Sequence, residues 1–337
     1  MKRSVIFFPQ KETAAFAEEE FNASLTDDQV LVKLDYDLIS AGTELANYHA
    51  LPNTGTDGNR FPHYPGYSAS GHVLQIGPNV KKLKIGERVV AFGVQHRSHV
   101  IGSEKKFYPV LDGVTQQEAA FSYLQSFSML GVRKLELQLG ESVMIAGMGL
   151  LGQFAVQYAR HSGACPILAC DFSQERRQLA LDLGADYALD PRDADFIAKV
   201  KDLTGGGPNG AVEATGFISA LQQALEYIAF EGRISLLGCT RISDQPIDFY
   251  RYVHLRGVRL IGCHTLTRPS VDSRPGEWTT FDDFRTFFRL IRHRELKVGN
   301  LISKTVSPRD AESVYRELGF SKNPPTGVLI DWTSIPE

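Results

Sequence analysis

Ser142-Val143-Met144-Ile145-Ala146-Gly147-Met148-Gly149-Leu150-Leu151-Gly152 is the stretch that decides the fold of this 337-residue chain. A strand pattern, Ser142 to Ala146, runs directly into a Gly-x-Gly-x-x-Gly turn, and a helical pattern follows it. Gly147 permits the tight turn, Gly149 lets the backbone approach a pyrophosphate, and Gly152 lets helix and strand pack closely. The helix N-terminus offers its N–H groups to the anion. The stretch therefore predicts a dinucleotide-binding turn, whose contacts also include Met148, Leu150 and Leu151.

An acidic residue stands at the end of the next predicted strand, Pro166 to Cys170. Asp171 lies 19 residues after Gly152. This is close to the spacing of about 20 residues at which a carboxylate binds the ribose hydroxyls in such folds. Because that carboxylate would repel a 2′-phosphate, we predict NAD rather than NADP as the cofactor.

Further cofactor contacts are predicted beside Asp171 and after the later strands, because ligands of parallel sheets bind beyond the carboxyl ends of the strands. The residues are Phe172, Arg176, Thr215, Gly238 and Cys239. Arg176 is equally consistent with a charge on a helix surface. Thr215 and Cys239 are also consistent with simple turn formers.

Strand and helix patterns alternate along the middle of the chain. Short strands are predicted at 142–146, 166–170, 187–189, 210–213, 232–238 and 259–262, and helices at about 150–162, 174–183 and 219–228. Apolar strands in repeated β–α units predict a parallel sheet that is covered on both faces. We therefore predict an α/β fold whose central part is a doubly wound, six-stranded Rossmann sheet.

The two ends of the chain differ from this middle part. The N-terminal part is rich in strand patterns, such as 30–34 and 71–77, and ends in a helical pattern over 118–134. The tail carries two helix patterns and a final strand pattern, at 281–292, 308–318 and 327–331. Since the tail has no place in the six-stranded sheet, we expect it to return to the first domain. We place the domains at 1–122, 123–263 and 264–337.

The composition excludes several functional classes. The chain has 36 basic and 39 acidic residues, so its small net charge of −3 does not favour binding to nucleic acid or to an anionic membrane. No apolar stretch reaches the roughly 18 residues of a membrane span, and the run from Val5 to Phe8 ends too early for a signal peptide. The four cysteines lack the paired spacing of a zinc site. We expect a soluble, cytoplasmic protein that acts on a small molecule.

Four motifs outside the turn carry a family resemblance: Gly42-Thr43-Glu44, Pro65-Gly66-Tyr67-Ser68-Ala69-Ser70-Gly71, Gly86-Glu87-Arg88-Val89-Val90 and Leu183-Gly184-Ala185-Asp186. Together with the order of the domains, they resemble the medium-chain dehydrogenase/reductase superfamily. The resemblance implies a GroES-like, β-rich catalytic domain, a nicotinamide cofactor and a homodimer or homotetramer. Leu38 to Glu44 and Pro65-Gly66-Tyr67 further resemble a zinc-less branch, which includes bacteriochlorophyllide hydroxyethyl dehydrogenase and sugar- or polyol-linked relatives.

The zinc members of that superfamily carry a Cys-Gly-(Thr/Ser)-Asp segment and a Gly-His-Glu segment. On those motifs this chain has Ala41 in place of the cysteine, and Tyr67 and Ser68 in place of histidine and glutamate. The fourth ligand position falls at Ser122 or Tyr123. Because the first three residues are not good zinc ligands, we predict no bound zinc. The alternative is a new metal site built from His49, His63, His96 or His99.

Without zinc, a hydrogen-bonding group must polarise the substrate oxygen. Thr43 takes the place of the hydroxyl that relays the proton in zinc relatives. Tyr67 can donate to a carbonyl oxygen, or it can merely fill the empty metal position. Glu44 is either a base or an orienting residue. Tyr123, Ser122 and Ser68 map nearby.

Two further positions concern the proton relay and the nicotinamide. The superfamily's relay histidine maps to Ala46, so His49 is a candidate substitute. Ser126, at the start of the predicted interdomain helix, is a candidate nicotinamide contact, with a helix-surface position as the alternative. The substrate is expected to lie against the segments 51–64 and 264–278. In the second segment, His264, Arg268, Arg274 and Trp278 either bind a polar substrate or are simply solvated.

Three hypotheses about function remain. The first is a zinc-independent, NAD-dependent dehydrogenase of a secondary alcohol, of the sugar or polyol class. The second is a quinone or enone reductase; such relatives prefer NADPH, which Asp171 disfavours. The third is a catalytically idle NAD-binding subunit, which the grouped polar residues Thr43, Glu44, Tyr67 and Tyr123 disfavour.

Overall fold

The computed structural model describes residues 1–274, 276–293 and 295–335. The predicted third domain, 264–337, therefore includes four residues that lie outside the described part: Pro275, Arg294, Pro336 and Glu337. The fold divides into two compact units. Unit 1 consists of Met1–Leu124 and the chain from Phe284 onward, and unit 2 is Gln125–Asp283.

The first part of the chain contains seven strands and two complete helices. In order they are β1 (Lys2–Gln10), β2 (Thr13–Glu20), β3 (Gln29–Leu38), α1 (Ala41–Tyr48), β4 (Ser68–Ile76), β5 (Arg88–Phe92), β6 (His99–Ser103), β7 (Phe107–Pro109) and α2 (Gln116–Ala119). The helix α3 (Ser122–Arg133) follows and continues into unit 2. The helical pattern predicted over 118–134 is thus divided, because the N–H of Phe121 turns back to the carbonyl of Glu118, three residues earlier.

Unit 2 then alternates strands and helices: β8 (Val143–Ala146), α4 (Leu150–His161), β9 (Ile167–Cys170), α5 (Gln174–Asp182), β10 (Tyr187–Leu189), α6 (Phe196–Leu203), β11 (Gly210–Glu213), α7 (Ile218–Tyr227), β12 (Arg233–Leu236) and β13 (Arg259–Gly262). The strands form one six-stranded sheet in the order β10-β9-β8-β11-β12-β13. All of its neighbouring strands are parallel. The predicted Rossmann sheet is therefore confirmed. Its apolar core includes Met144, Leu168, Phe196 and Ile234.

The tail contains α8 (Thr280–Arg292), β14 (Lys304–Val306), α9 (Ala311–Phe320) and β15 (Val328–Asp331). As predicted, it returns to the first unit, since β15 pairs antiparallel with β3. The seven-stranded sheet of unit 1 has the order β14-β15-β3-β4-β5-β7, with β6 also paired to β3, and β1 and β2 form a separate hairpin. The core of unit 1 is strongly aromatic and includes Phe8, Tyr48, Tyr315 and Trp332.

The second domain boundary lies between Asp283 and Phe284, later than the predicted boundary after residue 263. The segment between these points belongs to unit 2 because its side chains are tied to α3. Arg268 donates to the hydroxyl of Ser126 at 3.0 Å, and Arg133 forms an ion pair with Asp283. These contacts join residues far apart in sequence, so periodicity does not reveal them.

Seven of these elements were missed at the sequence level: β1, β2, α1, β6, β7, α6 and β14. The helix α6 packs Phe196, Ile197, Val200 and Leu203 against the core of unit 2, but it has only 8 residues, which gives a weak periodic signal. The helix α1 buries Glu44 and Asn47 as well as apolar residues, so its pattern is also weak. Among the described residues, no helix is both long and apolar enough to cross a membrane.

Candidate functional site

The glycine turn of unit 2 leads from β8 into α4. Gly147 has φ +91°, in the left-handed region that favours glycine. A Cβ atom on Gly152 would lie 1.8 Å from the carbonyl oxygen of Gly147, so only glycine fits there. A Cβ atom on Gly149 would have no atom within 4 Å, which leaves open space beside the first turn of α4. This geometry fits a pyrophosphate at the helix N-terminus.

Asp171 ties the end of β9 to this turn. One carboxylate oxygen accepts from the N–H of Met148 and the other from the N–H of Ser173, both at 2.8 Å. A carboxylate has about four acceptor positions, so it retains capacity for ribose hydroxyls. The side chain is half-buried at the carboxyl end of the strand, where the predicted ribose contact requires it.

The residues beside Asp171 form a small cationic and aromatic surface. Phe172 is 63% exposed, and the guanidinium of Arg192 lies 5.2 Å from its ring centroid. Arg177 donates to the carbonyl of Asp171 at 2.6 Å and pairs with Asp190 at 3.0 Å. Sequence reasoning named Arg176 but missed Arg177 and Arg192. The position of Arg192 in the turn that follows β10 was the available signal.

The turns after β11 and β12 meet the glycine turn. The buried carboxylate of Glu213 accepts from the N–H of Thr215 at 2.7 Å and from the Thr215 hydroxyl. Burial raises the pKa of Glu213, against the opposing effect of these hydrogen bonds. A Cβ atom on Gly147 would lie 2.7 Å from the Thr215 methyl, and one on Gly238 would lie 2.2 Å from the N–H nitrogen of Gly216. The structure therefore brings these predicted turns together.

Two predicted cofactor residues have different surroundings. Cys239 has an exposed side chain directly after Gly238. Ser126 is completely buried, and its hydroxyl accepts from Arg268 at 3.0 Å. The helix-surface alternative for Ser126 is therefore wrong, and its hydroxyl is engaged within unit 2 instead of facing open space.

The candidate substrate residues of the segment 264–278 also have protein partners. Arg268 is only 3% exposed and pairs with Asp283 at 3.3 Å. Trp278 lies under the guanidinium of Arg133, at 4.7 Å. Arg274 pairs with Glu277, and the His264 ring accepts from the N–H of Leu266 at 3.2 Å. The interpretation of Arg268 as a solvated loop residue is wrong, because it forms a buried ion pair.

The polar residues of unit 1 centre on three hydroxyl groups, which we call the hydroxyl cluster: Ser40, Thr43 and Tyr67. Ser40 is the N-cap of α1, but its side chain makes no capping bond. Instead its Oγ forms a hydrogen bond with Oη of Tyr67. The Thr43 side chain also acts on the tyrosine, where it lowers the pKa of the phenol. The structure brings the predicted Thr43 and Tyr67 together and adds Ser40, whose position before a helix was the missed signal.

Burial of Tyr67 raises the pKa of its phenol strongly. Hydrogen bonds from Ser40 and Thr43 act in the opposite direction, and the charge of Glu44 raises the pKa further. The phenol is therefore neutral near pH 7 and can donate a proton. Tyr123 meets the Tyr67 ring edge-on, with centroids 5.8 Å apart, and its own ring also packs against Phe92 at 5.4 Å.

Glu44 is buried beneath the hydroxyl cluster. Its carboxylate accepts from the N–H of Ser40 at 2.8 Å and from the hydroxyl of Tyr315. Its third partner is Nε2 of His96, at 3.0 Å. Burial alone would raise the pKa of Glu44, but the charge of His96 and these hydrogen bonds lower it below its usual value. Of the two predicted roles, an orienting residue fits this geometry and an accessible base does not.

The metal-ligand positions of zinc relatives hold side chains with other partners. The hydroxyl of Ser68 donates to the carbonyl of Ala120, and that of Ser122 to the carbonyl of Ala119, each at 2.7 Å. His49, the candidate substitute for the relay histidine, contacts Glu12: its Nδ1 lies 3.0 Å from Oε1 of that residue. In the described part of the chain, no three or more His, Cys, Asp or Glu side chains form a group that could hold a metal ion. These residues do not fit zinc.

Comparison with known proteins identifies both units. Residues 26–123 match the family model "Alcohol dehydrogenase GroES-like domain". Residues 151–284 match the family model "Zinc-binding dehydrogenase". The chain is 24% identical to D-guloside 3-dehydrogenase of Shigella flexneri, over 94% of this chain and 95% of the relative.

Solved structures share the fold. Galactitol-1-phosphate dehydrogenase from Escherichia coli superposes with a TM-score of 0.84 at 17% identity, covering 97% of this chain and 99% of that one. A protein from Sinorhizobium meliloti, described as a zinc-binding dehydrogenase bound to NADP, gives a TM-score of 0.82 at 18% identity, covering 98% and 99%. The two-domain architecture predicted from sequence motifs is therefore confirmed.

Proposed function

Because the chain belongs to the medium-chain dehydrogenase/reductase superfamily and is an oxidoreductase of the alcohol dehydrogenase type, we propose that it is a zinc-independent, NAD-dependent dehydrogenase. Its substrate is a secondary alcohol of the sugar or polyol class, or the corresponding ketone. One observation carries the proposal: Tyr67, at a metal-ligand position of zinc relatives, belongs to the hydroxyl cluster with Ser40 and Thr43.

The residues of unit 2 fit a dinucleotide. The open space at Gly149 and the N–H groups at the N-terminus of α4 suit a pyrophosphate, and Asp171 retains acceptor capacity for ribose hydroxyls. The negative charge of Asp171 favours NAD over NADP. When bound, the nicotinamide supplies the hydride donor or acceptor.

Tyr67 is the proposed proton donor to the substrate oxygen in the reduction direction. Its raised pKa keeps the phenol protonated, and its Oη releases the proton to the carbonyl oxygen as charge develops there. The hydroxyl of Ser40 can donate to the same Oη, because either atom of that pair can be the donor. In the oxidation direction Oη of Tyr67 takes the alcohol proton while the phenol proton passes to Oγ of Ser40, whose own proton is released to water, so that Tyr67 stays neutral. Thr43 and Tyr123 complete the proposed catalytic group.

A substrate and cofactor panel tests this function. Purified full chain is mixed with sugars, polyols, simple secondary alcohols, quinones and enones, each with NAD(H) and with NADP(H), while nicotinamide absorbance is followed. We expect NAD-linked oxidation of a sugar or polyol. Turnover of quinones or enones alone, with NADPH, would replace this function by that of a reductase. Tight NAD binding without turnover of any compound would favour the idle subunit.

Metal analysis tests the zinc-independent part separately. The residues Ala41, Tyr67 and Ser68 occupy the aligned ligand positions and offer no good zinc ligand. We expect chelator-washed protein to retain its activity and to hold no stoichiometric zinc. Activity that is lost with a chelator and restored by zinc would overturn this part of the proposal.

Self-association belongs to the same proposal. We expect a homodimer or homotetramer because members of the superfamily form them. This argument is an analogy at the level of the fold. Light scattering on purified protein measures the mass directly. A monomer at micromolar concentration would overturn it.

A further inference from the structure

His96 lies in the loop between β5 and β6 and is 1% exposed. Its ring stands between two buried carboxylates from two other elements. Nδ1 lies 2.8 Å from Oδ2 of Asp37, at the end of β3, and Nε2 lies 3.0 Å from Oε2 of Glu44, in α1. A ring that donates from both nitrogens is an imidazolium.

Ser40, the first part of the hydroxyl cluster, is connected to His96 through Glu44. The carboxylate accepts from His96 on one oxygen and from the N–H of Ser40 on the other. Glu44 thus fixes the backbone of Ser40 at the helix start, and the Ser40 hydroxyl, which makes no capping bond, meets Tyr67. The position of Glu44 thus determines how Ser40 is presented.

Tyr67, the second part of the hydroxyl cluster, is connected to the same histidine through the residues that precede it. Gly66, directly before Tyr67, has φ +100°, and a Cβ atom on it would lie 2.7 Å from both Cγ and Nδ1 of His96. The ring therefore packs against the backbone of Gly66. The backbone N–H of His96, as distinct from the ring, also donates to the carbonyl of Pro65 at 2.8 Å. One residue contacts both segments that carry the hydroxyl cluster.

We propose that His96 is a positioning residue for the hydroxyl cluster. It holds Ser40 through Glu44, and it holds Tyr67 through Pro65 and Gly66. Its positive charge also compensates the carboxylate of Glu44, which would otherwise stand uncompensated beside the Tyr67 phenol. The catalytic consequence of this role rests on the function proposed above, but the geometry and the charge of His96 do not.

The electrostatic surroundings support a ring that is charged near neutral pH. The titratable groups that face it are Asp37 from β3 and Glu44 from α1, with Tyr315 from α9 behind Glu44. Burial alone would lower the pKa of His96, but the charge of Glu44 and the hydrogen bonds to both carboxylates raise it to about 10. Burial raises the pKa of Asp37, although the hydrogen bond from His96 opposes this.

The first test needs no substrate. Nitrogen NMR of the histidine-labelled full chain, with His96 assigned from the His96→Gln variant, reports the protonation of both ring nitrogens. We expect both to be protonated at about pH 8, well above the ordinary histidine pKa. Glu44→Gln should lower the pKa of His96, because it removes a charge that raises it. A ring that is neutral at about pH 7 in the wild-type chain would overturn the proposal.

Stability against pH gives a second readout. Because the folded pKa of His96 lies above its unfolded value of 6.5, its contribution to stability is complete below pH 6.5 and is lost as pH rises through about 10. The free energy of unfolding of the wild type should therefore fall over this range more steeply than that of His96→Gln. If the free energy of unfolding falls equally with pH in the wild type and in His96→Gln, the ring of His96 is not charged as proposed.

Kinetics then test the positioning role. The matched control is His99→Gln, since His99 is also buried in this region and its Nδ1 bonds the neighbouring Ser98 at 2.9 Å. In folded protein, His96→Gln should lower kcat at least about tenfold, with unchanged affinity for NAD, and should shift the pH profile of kcat. His99→Gln should stay within about twofold of wild type. An unchanged kcat and pH profile in His96→Gln would overturn the positioning role.

Two safeguards keep the outcomes distinct. If His96→Gln does not fold, Glu44→Gln keeps the side-chain size, removes the charge of Glu44 and replaces one of its two accepting oxygens by an amide NH2, and the same expectations for kcat and the pH profile apply to it. If the wild-type chain oxidises no alcohol, the proposed function fails. In that case the NMR and stability measurements still decide whether His96 carries the proposed charge.

Discussion

The glycine turn of unit 2 is made of backbone from one short stretch, whereas the hydroxyl cluster of unit 1 is made of side chains from separate segments. In the turn, Gly147 and Gly152 fit each other because neither has a side chain. In the cluster, Ser40 and Tyr67 meet across 27 positions of sequence, and His96 reaches Glu44 across 52. A local backbone motif tolerates few substitutions, while a side-chain assembly can change its members and keep its fold.

The substitution with the largest expected effect disrupts the glycine turn of unit 2. In Gly152→Ala, the new Cβ atom would lie 1.8 Å from the carbonyl oxygen of Gly147, so backbone must move. We expect a loss of about 3 kcal/mol in the free energy of unfolding and no measurable NAD binding by calorimetry. Gly149→Ala is the matched control, because its Cβ atom would enter open space and its φ of −69° suits alanine.

This control separates folding from cofactor binding. Gly149→Ala should unfold within about 0.5 kcal/mol of wild type. Its affinity for NAD should still fall about tenfold, because the methyl group occupies the space intended for the pyrophosphate. Wild-type NAD affinity in Gly149→Ala would contradict the assignment of this turn.

The second prediction concerns a substitution that alters the hydroxyl cluster and leaves the glycine turn unchanged. Tyr67→Phe keeps the ring but removes the hydroxyl that meets Ser40. We expect turnover to fall at least tenfold, about 1.4 kcal/mol of transition-state stabilisation, with NAD affinity unchanged. Steady-state kinetics and calorimetry measure the two quantities. Tyr123→Phe should cost less, since its ring contacts remain. Unaltered turnover in Tyr67→Phe would leave Tyr67 as packing alone.

The third prediction sharpens the cofactor preference. Asp171→Asn removes the negative charge but keeps the size of the side chain. The dissociation constant for NAD should rise about fivefold, or about 1 kcal/mol, while NADP should bind more tightly because the repulsion of its 2′-phosphate is gone. Asp190→Asn is the control, since Asp190 is paired with Arg177 and Arg192. An unchanged ratio of NAD to NADP affinity in Asp171→Asn would remove Asp171 from cofactor selection.

The smallest expected effect concerns the exposed ring beside Asp171. Phe172 is 63% exposed and its ring contacts Arg192, so Phe172→Ala should change the free energy of unfolding by less than about 0.5 kcal/mol. If the ring covers part of the bound dinucleotide, as predicted, NAD affinity should fall about twofold. Isothermal calorimetry resolves this change, and an unchanged affinity would confine Phe172 to the surface.

The two regions also differ in how far the sequence predicted them. The order of Gly147, Gly149, Gly152 and Asp171 predicted a strand, a turn and a helix, and the structure has these elements. The motifs around Gly66 and Gly86 predicted the GroES-like unit. The boundary after residue 263 lies earlier than the division after Asp283, because the ion pairs of Arg268 and Arg133 with Asp283 are long-range contacts.

The sequence by itself determined the Rossmann unit and its glycine turn, because their signals are local: strand periodicity, and glycines at fixed offsets. It also indicated which residues replace the usual metal ligands. Only the tertiary structure decided that Ser40 joins Thr43 and Tyr67, that Glu44 is buried as an orienting carboxylate, and that His96 contacts both halves of the cluster. These relations depend on side chains brought together by the pairing of distant strands and helices, and no spacing along the chain encodes such distances.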